Sequence, residues 1–463
     1  MAAVTRGSVA GVMGAVFSAL AQFVLVVVVT RAFPAPEAGA FFTATALSLM
    51  AAGVAKLDAG NGLVYVIART TGYHGISGYI RAALVPCLVA ASAAGVLLYP
   101  RLGVLAVLLP VMVAGDVLLA ATRGFGTMRP TVLLDGLLLP ACQLCLVTWA
   151  ALTGAAEWLP PAWGAPYLLL PILAGAALRH SYRTPRGQEL PRSPDIAPQR
   201  SSLARVTARG QGVPRSHLPR VAAQRSSLAR VALRRPYLSG AARDLWRYTA
   251  PRSVAGAIQA VFQRLDVVIV ALLAGPAQAA VYTAATRFKV VGQLANQGLA
   301  QAVQPRLVRA LADGEPERAG ELYQTTTAWL VLLTWPVWVA YAALAPWLLT
   351  VFGPSYGAAV PVALVLAGTM MVATACGMVD VVLTAAGHTS TSLVNLVVAI
   401  CCTVALDVAL VPSQGAFGAV VGWSAGVLVK NLLPLWQLHR RYGLHPFGRH
   451  TLAALRPRTW AAA

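Results

Sequence analysis

Residues 7–30 read GSVAGVMGAVFSALAQFVLVVVVT, a run with no charged side chain in which only Gln22 is both polar and deep. As a helix at 1.5 Å per residue it covers roughly 36 Å, enough to cross the ~30 Å hydrocarbon core of a bilayer. That core holds no water, so a spanning segment must close its own backbone hydrogen bonds, and the lack of strand alternation selects helix. The run is too long for the apolar region of a signal peptide and lacks a processing site. It is expected to stay in place as a signal anchor.

Eleven similar runs follow. The expected spans lie at about 7–30, 38–59, 79–99, 102–122, 130–152, 163–179, 251–274, 277–303, 325–349, 358–385, 390–411 and 416–438. Turn residues such as Gly275-Pro276 and Gly353-Pro354-Ser355 punctuate the joints. A basic, proline-rich stretch from about Arg179 to Arg247 divides the runs six and six. The expected fold class is therefore an all-α polytopic membrane protein of two six-helix bundles. An N-terminal bundle would occupy 1–180, a linker 181–246, a C-terminal bundle 247–440 and a tail 441–463.

The totals agree. The 463 residues are 58% hydrophobic and 11% charged, against ~25% charged in a soluble domain, and mean hydropathy is +0.67. A net charge of +21 would suggest nucleic acid for a soluble protein, but 15 of the 36 Lys and Arg lie between Arg179 and Arg247. Basic loops beside spans mark the cytoplasmic face or meet anionic lipid; nucleic acid is not an expected partner. With the N-terminus inside, Arg69, Arg123, Arg129, the linker, Arg306, Arg309, Arg318, Arg440 and Arg441 fall on the inner face, and Arg31 and Arg101 on the outer. A plasma-membrane protein with both termini and the linker in the cytoplasm is expected.

The linker carries QRSSLARV twice, at 199–206 and 224–231. One pair is too little for a solenoid, and a segment so rich in Arg, Pro and Ser cannot bury enough apolar surface to fold alone. It reads as a disordered tether, or as a basic amphipathic segment on the inner leaflet. A 240-residue shift places Pro36 on Pro276, Phe42 on Tyr282, Thr43 on Thr283 and Ala44 on Ala284, in keeping with duplicated halves as in secondary transporters. The six cysteines all fall in spans; Cys142 and Cys145 form a C-x-x-C with no second pair or nearby His, so packing is the better reading.

Ionisable groups at membrane depth are costly. On a continuous helix, Arg252, Gly256, Gln259, Gln263 and Asp266 of span seven share one face, and Tyr282, Thr286, Lys289, Gln293 and Asn296 form a stripe on span eight. Measured from the turn at Gly275, Asp266 is ~13 Å deep, Arg264 ~16 Å, Arg287 ~18 Å and Lys289 ~21 Å. The four sum to +2. They are expected to form a hydrated cationic site for an anionic group such as a lipid pyrophosphate, or else Asp266 neutralises Lys289 or an arginine and locks two helices. Asp116 and Arg123, seven apart on span four, are a further cavity patch or a pair near the inner interface; Lys430 is a third candidate. Asp380 and Asp407, near span ends, are expected to be wetted. There is no G-x-S-x-G, H-E-x-x-H or P-loop lysine motif, so no catalytic or metal site, no cofactor and no enzymatic activity is expected. Active transport would use an H+ or Na+ gradient, the membrane potential or downstream consumption of substrate.

Several stretches resemble a known family. Arg264-Leu-Asp-Val-Val-Ile-Val270, Gly275 and Ala280-Val-Tyr-Thr-Ala-Ala285 are similar to helices seven and eight of polysaccharide flippases of the multidrug/oligosaccharidyl-lipid/polysaccharide exporter superfamily. Gln304-Pro305-Arg306-Leu307 and the charged stretch to Glu321, Leu349 to Tyr356, Ala385 to His388, and Val411 to Ala419 resemble that family's later turns. The likeness is specific over about 250–440 and looser over 7–180. It implies a V-shaped pair of bundles around a central cavity, moving polyprenyl-pyrophosphate-linked oligosaccharide across the membrane by alternating access for cell-surface polysaccharide synthesis. Implied partners are the lipid-linked saccharide, membrane lipids and glycosyltransferases or a polymerase of the same pathway. The alternative is a cation-coupled drug antiporter of the same fold, which often keeps a carboxylate on its first helix; residues 7–30 contain none.

Overall fold

Apolar runs with no nearby water close their hydrogen bonds along their own axis. In the computed structural model, which describes residues 2–69, 75–183 and 237–453, every regular element among the described residues is a helix. In the N-terminal half these are α1 (Ala2–Ala32), α2 (Ala35–Ala55), α3 (Ala59–Arg69), α4 (Ile76–Leu102), α5 (Val104–Gly124), α6 (Leu139–Thr153, preceded by a π-helical stretch Thr131–Leu138), α7 (Leu159–Gly164) and α8 (Leu169–Arg183). The C-terminal half has α9 (Tyr237–Phe262), α10 (Leu265–Leu273), α11 (Pro276–Thr286), α12 (Lys289–Ala312), α13 (Pro316–Thr350), α14 (Val360–Ala375), α15 (Val379–Ala385), α16 (Thr389–Tyr442) and α17 (Arg449–Ala453). Large apolar side chains such as Val96, Leu97 and Leu152 point outward, the arrangement of a surface that meets lipid.

By length and composition nine described helices could cross a membrane, or ten if the bent pair 252–262 and 265–273 is one span. The difference from twelve has two sources. The last two expected spans are the arms of the 54-residue α16, which folds back at Gly415 (φ 57°, ψ −132°). The expected span 277–303 is α11 plus the start of α12, and is interrupted. Chain direction then defines two ends. The far end carries the turns at Pro34, Gly103, Gly275, Gly353 and Gly415; the near end carries the start of α1 and the end of α16.

The linker is shorter than expected on its C-terminal side. α9 begins at Tyr237, because Ala241 and Leu245 are buried against neighbours. Residues 184–236, with both QRSSLARV copies, lie outside the described residues. In the tail, the backbone N–H of His450 donates to Gln324 of α13.

Small residues set the closest approaches. In α16, Gly418, Gly422 and Gly426 line one arm; an added Cβ at Gly422 would sit 2.1 Å from an Asp407 oxygen, and at Gly426 1.8 Å from the Thr403 hydroxyl. This small-xxx-small spacing lets two helix backbones close together without water. The halves meet along α2. A Cβ at Gly39 would lie 1.7 Å from the Pro276 carbonyl, and one at Gly53 2.7 Å from Ala260. At the far end α1 also touches the C-terminal half. Arg31 donates to the carbonyls of Val351 and Thr350, at 2.8 and 2.9 Å, and the ring of Phe23 lies 5.4 Å from Phe288 and 5.5 Å from Phe352.

Candidate functional site

Two helix breaks face each other midway along the C-terminal half. The first separates α9 from α10 at Gln263 and Arg264, with a 49° bend. Asp266 explains it: its Oδ1 accepts the N–H of Val267 at 2.9 Å, and short polar side chains that bond the adjacent backbone compete with the helical ladder. The second lies between Thr286 and Lys289. Thr286 bonds back to the Tyr282 carbonyl at 2.8 Å, a pattern that bends helices. The continuous stripes expected from 252 to 266 and from 282 to 296 are therefore each cut in two.

The breaks bring Asp266 and Lys289 together. Oδ2 of Asp266 accepts from the Lys289 ammonium at 2.8 Å and from the Tyr282 hydroxyl at 2.7 Å. The ammonium also lies 4.9 Å from the Trp423 ring centre. Asp266 is 4% and Lys289 18% exposed, so the pair is largely withdrawn from water. Arg264 and Arg287 are different. Both are half-buried, and among the described residues neither has a carboxylate within ion-pair distance. Arg287 reaches loosely to the carbonyl and side-chain oxygens of Gln22, at 3.4 Å each. Arg264 stands at the first break and Arg287 at the second.

The other expected residues are spread along the same wall. Arg252 is half-exposed near the near end and pairs with Asp58 at 3.0 Å. Gln259 is half-buried, Gln263 and Asn296 are exposed, and the side chain of Gln293 lies outside the described residues. Lys430 sits 6.0 Å from the Phe262 ring, beside the first break. Asp116 pairs with Lys56 at 2.7 Å, half-exposed, not with Arg123, which is exposed.

Sequence reasoning passed over two groups and misplaced a third. Asp135 is exposed within the π-helical stretch, in the field of Asp116, Lys56 and Arg123; a lone carboxylate five residues into an apolar run was the available signal. Gln143 accepts from Gln22 at 3.0 Å and donates to the Trp163 carbonyl, carrying the contact from Arg287 into the N-terminal half. Asp407 is fully buried, with neither oxygen hydrogen-bonded, which overturns the expectation that it is wetted; it faces Gly422 in the tight hairpin, not the span end. Among the described residues no group of three His, Cys, Asp or Glu could hold a metal ion.

The MatE family model matches residues 251–409, the region where the exporter-superfamily resemblance is most specific. No curated protein sequence matches the chain. Among solved structures, an inward-facing multidrug resistance MATE family transporter of the MOP superfamily aligns with TM-score 0.61 at 15% identity, over 92% of this chain and 94% of that one. The lipid II flippase MurJ in an inward closed conformation aligns with TM-score 0.67 at 10% identity, over 97% and 91%. A MOP superfamily transporter from Pyrococcus furiosus, described as having a binding pocket of reverse polarity, aligns with TM-score 0.55 at 16% identity, over 95% of each chain. Identities this low establish the fold alone: that of the MATE transporters and MurJ, an all-α, multi-pass membrane architecture.

Proposed function

We propose that this chain, with its MATE-type transporter fold, is a flippase that passes a polyprenyl-pyrophosphate-linked oligosaccharide from the inner to the outer leaflet of the plasma membrane. The observation that carries the reading is the pair Arg264 and Arg287. Two guanidiniums beside the two facing breaks near mid-depth, neither with a carboxylate within ion-pair distance among the described residues, leave positive charge that an anion would neutralise. A pyrophosphate is such an anion, and guanidinium geometry suits bidentate contact with its oxygens. Because Lys289 is engaged by Asp266, it sets the local field and leaves direct contact to the arginines.

The head group also needs water. Exposed Gln263, beside the first break, is tolerable at such depth only along a hydrated path, and exposed Asn296 and Asp135 continue polar surface toward the near end. Among the described residues α1 is tied to the C-terminal half at the far end through Arg31 and Phe23 and at mid-depth through Gln22, which supports a near-end entry from the cytoplasm. The lipid tail stays in the bilayer while the head group crosses, and the two halves rock to change its exit.

A second reading, a drug antiporter coupled to H+ or Na+, draws on the multidrug MATE transporters that share the fold, and on the unpartnered carboxylate of Asp407. The test compares both. Arg264→Glu and Arg287→Glu are each expressed with a fluorescent polyprenyl-pyrophosphate disaccharide in proteoliposomes, alongside a cationic dye-efflux assay. Translocation of the lipid falls at least tenfold at normal protein level, with dye efflux absent throughout. Undiminished lipid movement in both variants removes the arginine site, and dye efflux by the wild type favours the antiporter.

A further inference from the structure

If the halves were strict duplicates, α9 would lie on its own bundle as α1 does. α1 packs on α6 and on the π-helical stretch of its own half, with Gly14 against Gly136. α9 instead lies across α2, α3 and α4 of the other half, and it does so along its described length. Beginning near the linker, Ala241 meets Gly78, where an added Cβ would be 3.7 Å away. The indole N–H of Trp246 donates to the Ala82 carbonyl at 3.0 Å. Thr249 and Leu245 fill the space over Gly62. The ring of Tyr248 stacks on Tyr65, centres 4.0 Å apart and 4° from parallel. Arg252 pairs with Asp58, Gly256 packs on Asp58 and Ala260 on Gly53.

Past the break at Gln263 and Arg264 the chain gains partners in its own half: α10 packs on α11 and α16, and Asp266 is held by Lys289 and Tyr282, while α10 and α11 keep one face on α2, the seam between the halves. The receiving surface on the N-terminal side is itself shaped for this contact. Leu57 and Asp58, in the joint between α2 and α3, are the non-glycine residues with positive φ among those described, at 49° and 54°. That backbone is disfavoured for residues with a side chain, and it accompanies the Asp58 carboxylate that meets Arg252.

We propose that residues 237–262 move with the N-terminal bundle, and that the hinge between the two moving bodies is the Gln263–Arg264 break inside the membrane, not the linker. The covalent boundary, before α9, and the mechanical boundary, after it, then differ by that whole helix. Arg264 sits on the hinge itself, so rocking carries its guanidinium relative to Arg287, which belongs to the other body. Substrate contact and domain motion are thereby joined at one residue. This inference rests on the transporter reading above.

The experiment uses the full chain with its six native cysteines replaced, checked first for translocation of the fluorescent lipid. Gly78→Cys with Ala241→Cys places Cβ atoms at a separation suited to a disulfide, about 3.5–4.5 Å. Arg31→Cys with Val351→Cys is bridged across the far end by a reductant-cleavable bis-thiol reagent. The near-end disulfide leaves translocation within twofold of the reduced sample, whereas the far-end bridge stops it until reductant is added. A near-end disulfide that halts transport reversibly overturns the hinge placement. Should the disulfide variant fail to assemble, spin labels at Ser77 and Arg243 replace it: their distance stays fixed on substrate addition while a pair at Arg31 and Val351 shifts, and a shift at the near end overturns the proposal. A cysteine-free parent that moves no lipid would instead count against the flippase reading and leave the label distances to decide the hinge.

Discussion

The ammonium of Lys289 lies 2.8 Å from the carboxylate of Asp266 across two facing helix breaks. Each residue begins or nearly begins a new helix, so the pair ties together two chain segments that have lost their own continuity. Removing one member of such a buried pair strands a charge, at a cost of about 3–5 kcal/mol, whereas removing both is often neutral. Lys289→Met should therefore lower the midpoint of thermal unfolding in detergent sharply. Asp266→Asn with Lys289→Met, which leaves an acceptor for the Tyr282 hydroxyl, should regain most of it and keep lipid translocation. A double variant as unstable as the single one would show that the pair is more than a lock.

Arg31 is exposed, and its two bonds to the carbonyls of Thr350 and Val351 clasp α1 to the end of α13. At such a wet site they are worth about 1–2 kcal/mol together, a factor of roughly 5–30 in an equilibrium. Arg31→Ala should shift the far end toward opening. The readout is maleimide labelling of Thr30→Cys from the far side, since Thr30 is buried beside Gly353. Labelling should rise several-fold; an unchanged rate would show that the Phe23 contacts seal the far end alone.

Gly39 allows no side chain, because a Cβ would fall 1.7 Å from the Pro276 carbonyl. Overpacking of this kind costs about 1–3 kcal/mol or more. Gly39→Val should separate the halves at the far end, raise Thr30→Cys labelling and lower stability. Gly11→Ala, with nothing within 4 Å of its added Cβ, serves as the silent control and should match the parent in both assays.

Leu57 holds a left-handed backbone at φ 49°. Leu57→Gly relieves about 1 kcal/mol of that strain, offset by the greater unfolded-state freedom of glycine, so thermal stability should stay within a few degrees of the parent. Leu57→Val, β-branched in the same backbone, should unfold clearly earlier. Equal melting of the two variants would place no strain at this joint.

Much of the architecture was legible because apolar run length is a direct physical demand of the bilayer, and most expected span ends agree with helix ends within a few residues. The breaks were not legible in the same way. Gln263, Arg264, Arg287 and Phe288 include no Gly or Pro, and the causes lie in side chains bonding backward or to the adjacent N–H. Asp266 and Lys289 stood on consecutive spans, so their partnership was one of two open readings; Asp116 with Lys56 and Arg252 with Asp58 cross tens or hundreds of residues and carry no local signature. Asp407 was misplaced for a related reason. Distance from a span end is a one-dimensional measure, while its burial comes from Gly422 on the opposite arm.

The glycine ladder of α16 has a consequence for biogenesis. With Gly415 as the pivot and Gly418, Gly422 and Gly426 pressed against the arm that bears Asp407, the two last crossings shelter each other. Neither arm alone offers that carboxylate a place away from acyl chains, so the translocation machinery is expected to release them together as a preassembled unit. Chains stopped at Gly415 should be cleared by membrane proteases, and Asp407→Leu should rescue their half-life in a pulse-chase.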